Sequence, residues 1–278
     1  MTIEEQEITL AGRALHRLVL HPTGAPRGTL VFFHGQGDYS DRYPPLLAIF
    51  VEQGFRCILT DLPGHGRSEG RRGSVPGFPF LNELLDSSLK DQPAPHLIAG
   101  HSMGGLLALR FFLNDPGRFA AAWFSSPLLD PMGQASTWMR LTLPITAKLF
   151  PWIIVGTGVR DEDCTDDQEG RPGEDTTPLY HSKISIGWGR DLCDAAEQIA
   201  HQFQRFPSET PVLFTQGGID TVCPPAILRS RLTPLPENQI TYFEIENARH
   251  EPFNGSTADL FQTKLAGWAE NLTQRWPR

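Results

Sequence analysis

The sequence predicts an α/β protein with a mostly parallel, eight-stranded sheet, helices on both faces and one helical insertion. Three observations predict it. Short apolar runs alternate with segments of helical period over most of the chain, the order that builds a parallel sheet. The alternation breaks between residues 127 and 206 and then resumes. Third, Gly100-His101-Ser102-Met103-Gly104 sits between a buried strand at 97–99 and a helix pattern with Met103, Leu106, Leu107 and Leu109 on its apolar positions. In that context the serine occupies a sharp, strained turn with its hydroxyl above the sheet edge. It also lies at a helix N-terminus, where free N–H groups and the helix dipole favour developing negative charge. Ser102 is therefore a candidate nucleophile.

The elements follow in order. Residues 3–10 and 14–20 read as antiparallel strands joined by Ala11-Gly12-Arg13. Residues 28–33 are continuously apolar, the mark of a strand buried on both faces. A glycine-rich loop follows, His34-Gly35-Gln36-Gly37, able to offer a backbone N–H beside the serine, most plainly from Gln36. Asp41 is expected to cap a helix that opens with Pro44 and Pro45 and ends at Gly54. A strand at 55–60 leads to a second loop, 61–73, in which His65 reads as a structural loop histidine. A helix at 78–89 precedes the serine strand, and a strand at 119–124 follows the serine helix.

The insertion comes next. Residues 132–155 are rich in large apolar side chains, including Trp138, Leu143 and Ile145, and are divided by Pro144 and Pro151. Residues 161–175 hold eight acids and one arginine without the spacing of a calcium loop, so a solvated, mobile loop is expected. From 187 to 203, Trp188, Leu192, Ala195, Ala196, Ile199 and Phe203 share one helical face. Residues 127–206 are read as a lid inserted into a core formed by 1–126 and 207–278. The core resumes with a strand at 211–216, a helix at 224–232, a strand at 239–245, and a final helix with Ser256 as its cap and Leu260, Phe261, Leu265, Trp268 and Leu272 inside.

Composition excludes several classes. A net charge of −8 with no basic stripe argues against nucleic acid. Cysteines 57, 164, 193 and 223 form no C-x-x-C pair, which points to free thiols in a reducing compartment. The N-terminus is acidic and no apolar run approaches a membrane span, so a cytoplasmic location is expected.

A serine hydroxyl needs a base within hydrogen-bond reach to act as a nucleophile at neutral pH. On this architecture the partners follow in the order nucleophile, acid, histidine. Of nine histidines only His250 lies beyond the candidate acid Asp220, which directly follows a strand. Asp130, after the preceding strand, is the competing acid.

These stretches resemble the monoacylglycerol lipase and bacterial lysophospholipase branch of the α/β-hydrolase superfamily, with its serine aminopeptidase-type hydrolases. The matching residues are His34-Gly35-Gln36-Gly37 with Arg42-Tyr43, Asp61-Leu62-Pro63-Gly64-His65-Gly66-Arg67-Ser68-Glu69-Gly70, Gly100-His101-Ser102-Met103-Gly104-Gly105, Gln216-Gly217-Gly218-Ile219-Asp220 and Ala248-Arg249-His250-Glu251. The resemblance implies an α/β-hydrolase fold and an oxyanion hole from the N–H groups of Gln36 and Met103. It also places Cys223 close to the catalytic centre. Gly35, His101, Cys223, Trp138, Leu143 and Ile145 are the expected substrate contacts. The expected activity is serine ester hydrolysis through an acyl-enzyme on a small lipid-like ester, with no metal or organic cofactor and a transient membrane-surface contact through the lid. Thioesterase and proline-type aminopeptidase are the alternatives on the same core, and a non-catalytic scaffold is the alternative of another class.

Overall fold

The computed structural model describes residues 1–133, 135–167, 177–203, 206–207, 209–236 and 240–276. Its first half runs β1 (Thr2–Leu10), β2 (Arg13–His21), β3 (Gly28–Phe33), α1 (Pro44–Glu52), β4 (Phe55–Thr60), α2 (Phe78–Leu89), β5 (His96–His101), α3 (Met103–Asn114) and β6 (Ala121–Ser125). The segment after β6 carries α4 (Thr137–Leu149), β7 (Ile154–Gly156), α5 (Asp161–Cys164), β8 (Lys183–Ser185) and α6 (Ile186–Gln202). The chain ends with β9 (Val212–Gly217), α7 (Pro225–Leu232), β10 (Thr241–Ile245) and α8 (Ala258–Arg275).

Eight strands form one sheet in the order β1-β2-β4-β3-β5-β6-β9-β10. β1 pairs with β2, and β2 with β4, antiparallel; every other neighbour is parallel. The pleat sends alternate side chains to opposite faces. Leu30 and Phe32 enter the apolar layer beneath α1 and α8, which also holds Phe50, Trp123 and Trp268. Val31 and Phe33 enter the layer beneath α2 and α3, with Leu84, Leu107 and Phe112. Burial on both faces is why these strands read as unbroken apolar runs. The parallel order also brings the strand ends that carry Phe33, His101, Ser125 and Gly217 to one edge, where the loops of interest lie.

Several expectations are corrected. Asp41 does not cap α1, whose N-cap is Tyr43 without a side-chain bond; instead its carboxylate pairs with Arg67 at 2.6 Å. Ser256 does not cap α8; it donates to Asp166, and Thr257 precedes the helix. Leu260 faces solvent while Phe261, Leu265, Trp268 and Leu272 are buried. Pro144 lies inside α4 rather than dividing it, so the carbonyl four residues back lacks a helical donor.

The segment between β6 and β9 has two unlike parts. α6 sits on α3, and Trp188, Leu192, Ala195 and Ile199 join the same apolar core as α2 and α3. α4 instead turns Trp138, Leu141, Ile145 and Leu149 outward. The acidic stretch is also anchored where it is described. The carbonyls of Asp163 and Cys164 accept from the N–H groups of His250 (3.4 Å) and Glu251 (2.8 Å), and Asp166 accepts from the Ser256 N–H at 3.1 Å. The solvated loop expected over 161–175 is thus a docked segment up to Asp167, and 168–176 lie outside the described residues.

Candidate active site

Ser102 joins β5 to α3 with φ +56°, a conformation disfavoured for any residue with a Cβ. The glycines around it are required by close approach. A Cβ on Gly100 would stand 2.2 Å from the Gly104 carbonyl oxygen, and one on Gly104 would stand 2.0 Å from that of Phe33. The strained turn is held by its own main chain: Ser102 N–H donates to Ser125 O at 2.9 Å, and Leu106 and Leu128 donate to Ser102 O at 3.0 Å each.

The loops after β9 and β10 are laced together, with Gly218 N–H donating to Ile245 O (2.8 Å) and Ile219 N–H to Ala248 O (3.0 Å). That lacing sets Asp220 opposite His250. His250 Nδ1 lies 2.8 Å from Asp220 Oδ2, and its Nε2 lies 2.8 Å from Ser102 Oγ. The second carboxylate oxygen, Oδ1, accepts from the N–H groups of Val222 and Cys223, both at 2.8 Å. Gln216 Nε2 adds a further bond to Oδ2 at 2.8 Å. A buried carboxylate held in place by these donors fixes the imidazole tautomer, with Nδ1–H toward Asp220 and Nε2 free to accept from the serine. Asp130, the rival acid, accepts from Met132 N–H within its own loop.

Gln36 and Met103 flank the serine from two directions. Met103 opens α3, where first-turn N–H groups have no intrahelical partner. The Gln36 loop approaches closely enough that a Cβ on Gly35 would rest 3.5 Å from Ser102 Cβ. His101 is buried and packs its ring, tilted by 47°, against that of His250, centroids 4.8 Å apart; burial, then the His250 neighbour, holds it well below the usual histidine range. It supports the imidazole and faces no open space. His65 is likewise buried between His34 and His181, a structural position. Cys223 is buried beside Asp220, and burial, then that carboxylate, push its thiol well above its ordinary range. Asp220, Cys223 and His250 have ligand atoms within 4.8 Å of one another, but both imidazole nitrogens are already hydrogen-bonded and the thiol stays protonated, a poor donor set for a metal.

Trp138, Leu143 and Ile145 lie on α4, in the segment after β6. Trp138 and Ile145 are 78 % and 63 % exposed, and none of the three lines the cavity of about 530 Å³ between α4 and α6, whose walls include Val75, Pro144, Ala147, Pro151, Trp152 and Trp188. Residues that sequence reasoning left without a role also converge here. Arg42 bridges Asp38 (2.9 Å) and Glu251 (2.8 Å), tying the Gln36 loop to the His250 loop. Arg42 and Glu251 lie inside the matched motifs, yet nothing in their spacing signals the pairing.

An open, mostly parallel sheet with a strained serine turn and a serine–histidine–aspartate relay at its carboxyl edge defines an α/β-hydrolase. Residues 24–257 match the family model for serine aminopeptidase, S33, and the chain belongs to that family. It is 25 % identical to the phospholipase YtpA of Bacillus subtilis over 87 % of this chain and 95 % of that one. It is 28 % identical to the human monoglyceride lipase over 73 % of this chain and 68 % of that one. An abhydrolase domain-containing protein of Dictyostelium discoideum is 28 % identical, although the chain spans 27 % of its length. The crystal structure of the Paleococcus ferrophilus monoacylglycerol lipase superposes with a TM-score of 0.84 at 25 % identity, covering 93 % of this chain and 99 % of that one.

Proposed function

We propose that this protein is a serine hydrolase of lipid-like carboxylic esters, with a monoacylglycerol or a lysophospholipid as substrate. The observation that carries the reading is the continuous relay from Ser102 Oγ through His250 to Asp220, two contacts of 2.8 Å each. In this reading Ser102 attacks the acyl carbonyl as His250 Nε2 takes its proton, and Asp220 stabilises the imidazolium. The Gln36 and Met103 N–H groups receive the developing oxyanion, an effect of roughly 3–4 kcal/mol per donor. His250 then protonates the departing alcohol and activates the water that releases the acid. Similarity to a phospholipase and to monoacylglycerol lipases supports the lipid class. The acyl chain is assigned to the cavity beside Trp188, where Val75, Pro144, Ala147, Pro151 and Trp152 offer apolar surface alongside Lys148, Arg190 and Asp191, and residues 127–206 to a lid over the site.

The test is kinetic. Ser102→Ala should lower kcat by about 10⁴–10⁶ with the fold intact and should abolish labelling by a fluorophosphonate. Across p-nitrophenyl esters, kcat/KM of the unaltered protein should rise with acyl length and then level, because each buried methylene contributes about 0.8 kcal/mol. Labelling that persists in Ser102→Ala removes the nucleophile assignment, and a best substrate among acetate esters removes the lipid reading.

A further inference from the structure

We infer that Trp188 is a positioning residue for the oxyanion hole, acting through the side chains of Gln36 and Met103; the inference rests on the hydrolase reading above. The two N–H donors of that hole come from separate elements, the loop after β3 and the first turn of α3. An oxyanion is stabilised well only when both donors lie about 2.7–3.1 Å from it at once, and no covalent link sets their spacing. One indole does. Trp188 Nε1 donates to Gln36 Oε1 at 3.1 Å and to Met103 Sδ at 3.3 Å, a single N–H shared by the side chains of both donor residues. The other end of the Gln36 amide is fixed as well, Nε2 donating to the Lys183 carbonyl at 2.7 Å. β8 and α6 therefore hold Gln36 from both sides.

The indole itself is immobilised. It is 1 % exposed, its N–H partners are within reach because Ser185 Oγ caps α6 by accepting from the Trp188 N–H (3.3 Å), and its ring packs on Phe78 at 5.6 Å. Phe78 is in turn covered by the Arg110 guanidinium, 4.0 Å from its centroid. Trp188 also lines the cavity between α4 and α6. The ring that borders the proposed acyl site thus sets the distance between the two groups that stabilise the transition state. A phenylalanine could fill the same core position; only the N–H makes the link.

The experiment compares Trp188→Phe, Gln36→Leu and the double variant on p-nitrophenyl butyrate, with inhibition by a trifluoromethyl ketone, which binds as an oxyanion, and Ser102→Ala as control. Trp188→Phe should lower kcat about 10- to 100-fold, the scale of a sub-ångström misplacement, with KM changed less than twofold and ketone affinity falling in step with kcat. Gln36→Leu should do the same, and the double variant should cost less than the sum of the two singles, because the Trp188–Gln36 bond is lost in each. If Trp188→Phe fails to fold, Gln36→Leu decides. Unchanged kcat in the folded variants, a loss confined to KM, or additive losses overturns the inference while Ser102-dependent activity leaves the hydrolase reading standing. Activity that survives Ser102→Ala removes that reading and the inference with it.

Discussion

Asp220 and Asp130 both follow strands that end near Ser102, and only their contacts separate them. Asp220 faces His250 Nδ1 and has both carboxylate oxygens occupied by further donors; Asp130 serves its own turn. Asp220→Asn keeps the shape but offers an amide where Nδ1–H needs an acceptor, so the tautomer that leaves Nε2 free is lost. A fall in kcat of up to ~10⁴ is expected, against little change for Asp130→Asn, both read on one soluble ester with thermal melting as control. The reverse pattern would move the acid to the preceding loop. The residues of this site were legible because the fold constrains chain order and leaves one histidine downstream of Asp220. The support around them was not. Gln36 and Trp188 are 152 positions apart in the chain, and the Arg42–Glu251 pair spans 209, so no local periodicity records either contact.

Elements differ in how openly they declare themselves. β3 and β4 are bounded as expected because burial on both faces forces an apolar run and a polar residue ends it. α6 was legible for the related reason that its buried face repeats at helical spacing. α4 misleads by the same rule. Trp138, Leu141, Ile145 and Leu149 form an apolar stripe, and a stripe says that a face seeks cover without saying which neighbour supplies it. Here the covered face of the 127–206 segment is α6, and the stripe on α4 points outward. The acidic stretch misleads differently. Its composition is that of a solvated loop, yet the contacts of Asp163 and Cys164 to the His250 loop run through main-chain carbonyls, which every residue owns and no side-chain pattern reports.

At the scale of the whole molecule, two consequences can be measured. The first concerns pH. His65 and His101 are fully buried; burial, then the neighbouring His34 and His250 respectively, hold both well below the usual histidine range. An unfolded chain protonates them near pH 6.5, so below that value the unfolded state binds more protons and gains stability over the folded one. The melting temperature should therefore be flat above about pH 7 and fall as the pH drops from about 6.5. His65→Asn should make the fall shallower. A wild-type melting temperature unchanged between these conditions and pH 5 would mean that the buried imidazoles gain protons without cost.

The second concerns the outward stripe. Trp138, Leu141, Ile145 and Leu149 fall on one face of α4, and Phe150, Trp152, Ile153 and Val155 continue it into β7, all exposed. Contiguous exposed apolar patches of this extent are characteristic of contact sites. Among the described residues no helix is long and apolar enough to cross a membrane; the contact we propose for the stripe is a shallow one, at a lipid surface. The net charge of −8 opposes an anionic bilayer, which leaves insertion of apolar side chains as the driving term. Binding to phosphatidylcholine vesicles is therefore expected to be insensitive to salt, since screening acts on charge pairs alone. Each large side chain withdrawn from water contributes roughly 1.5–3 kcal/mol. Leu141→Glu with Leu149→Glu should then weaken vesicle partition at least ~10-fold per site and slow hydrolysis of a vesicle-borne monoacylglycerol in proportion. Turnover of p-nitrophenyl butyrate in solution should stay unchanged, because both side chains face solvent. Partition that survives both charges would assign the stripe to another partner; a second copy of the chain would show itself as a concentration-dependent dimer in sedimentation, lost in the same double variant.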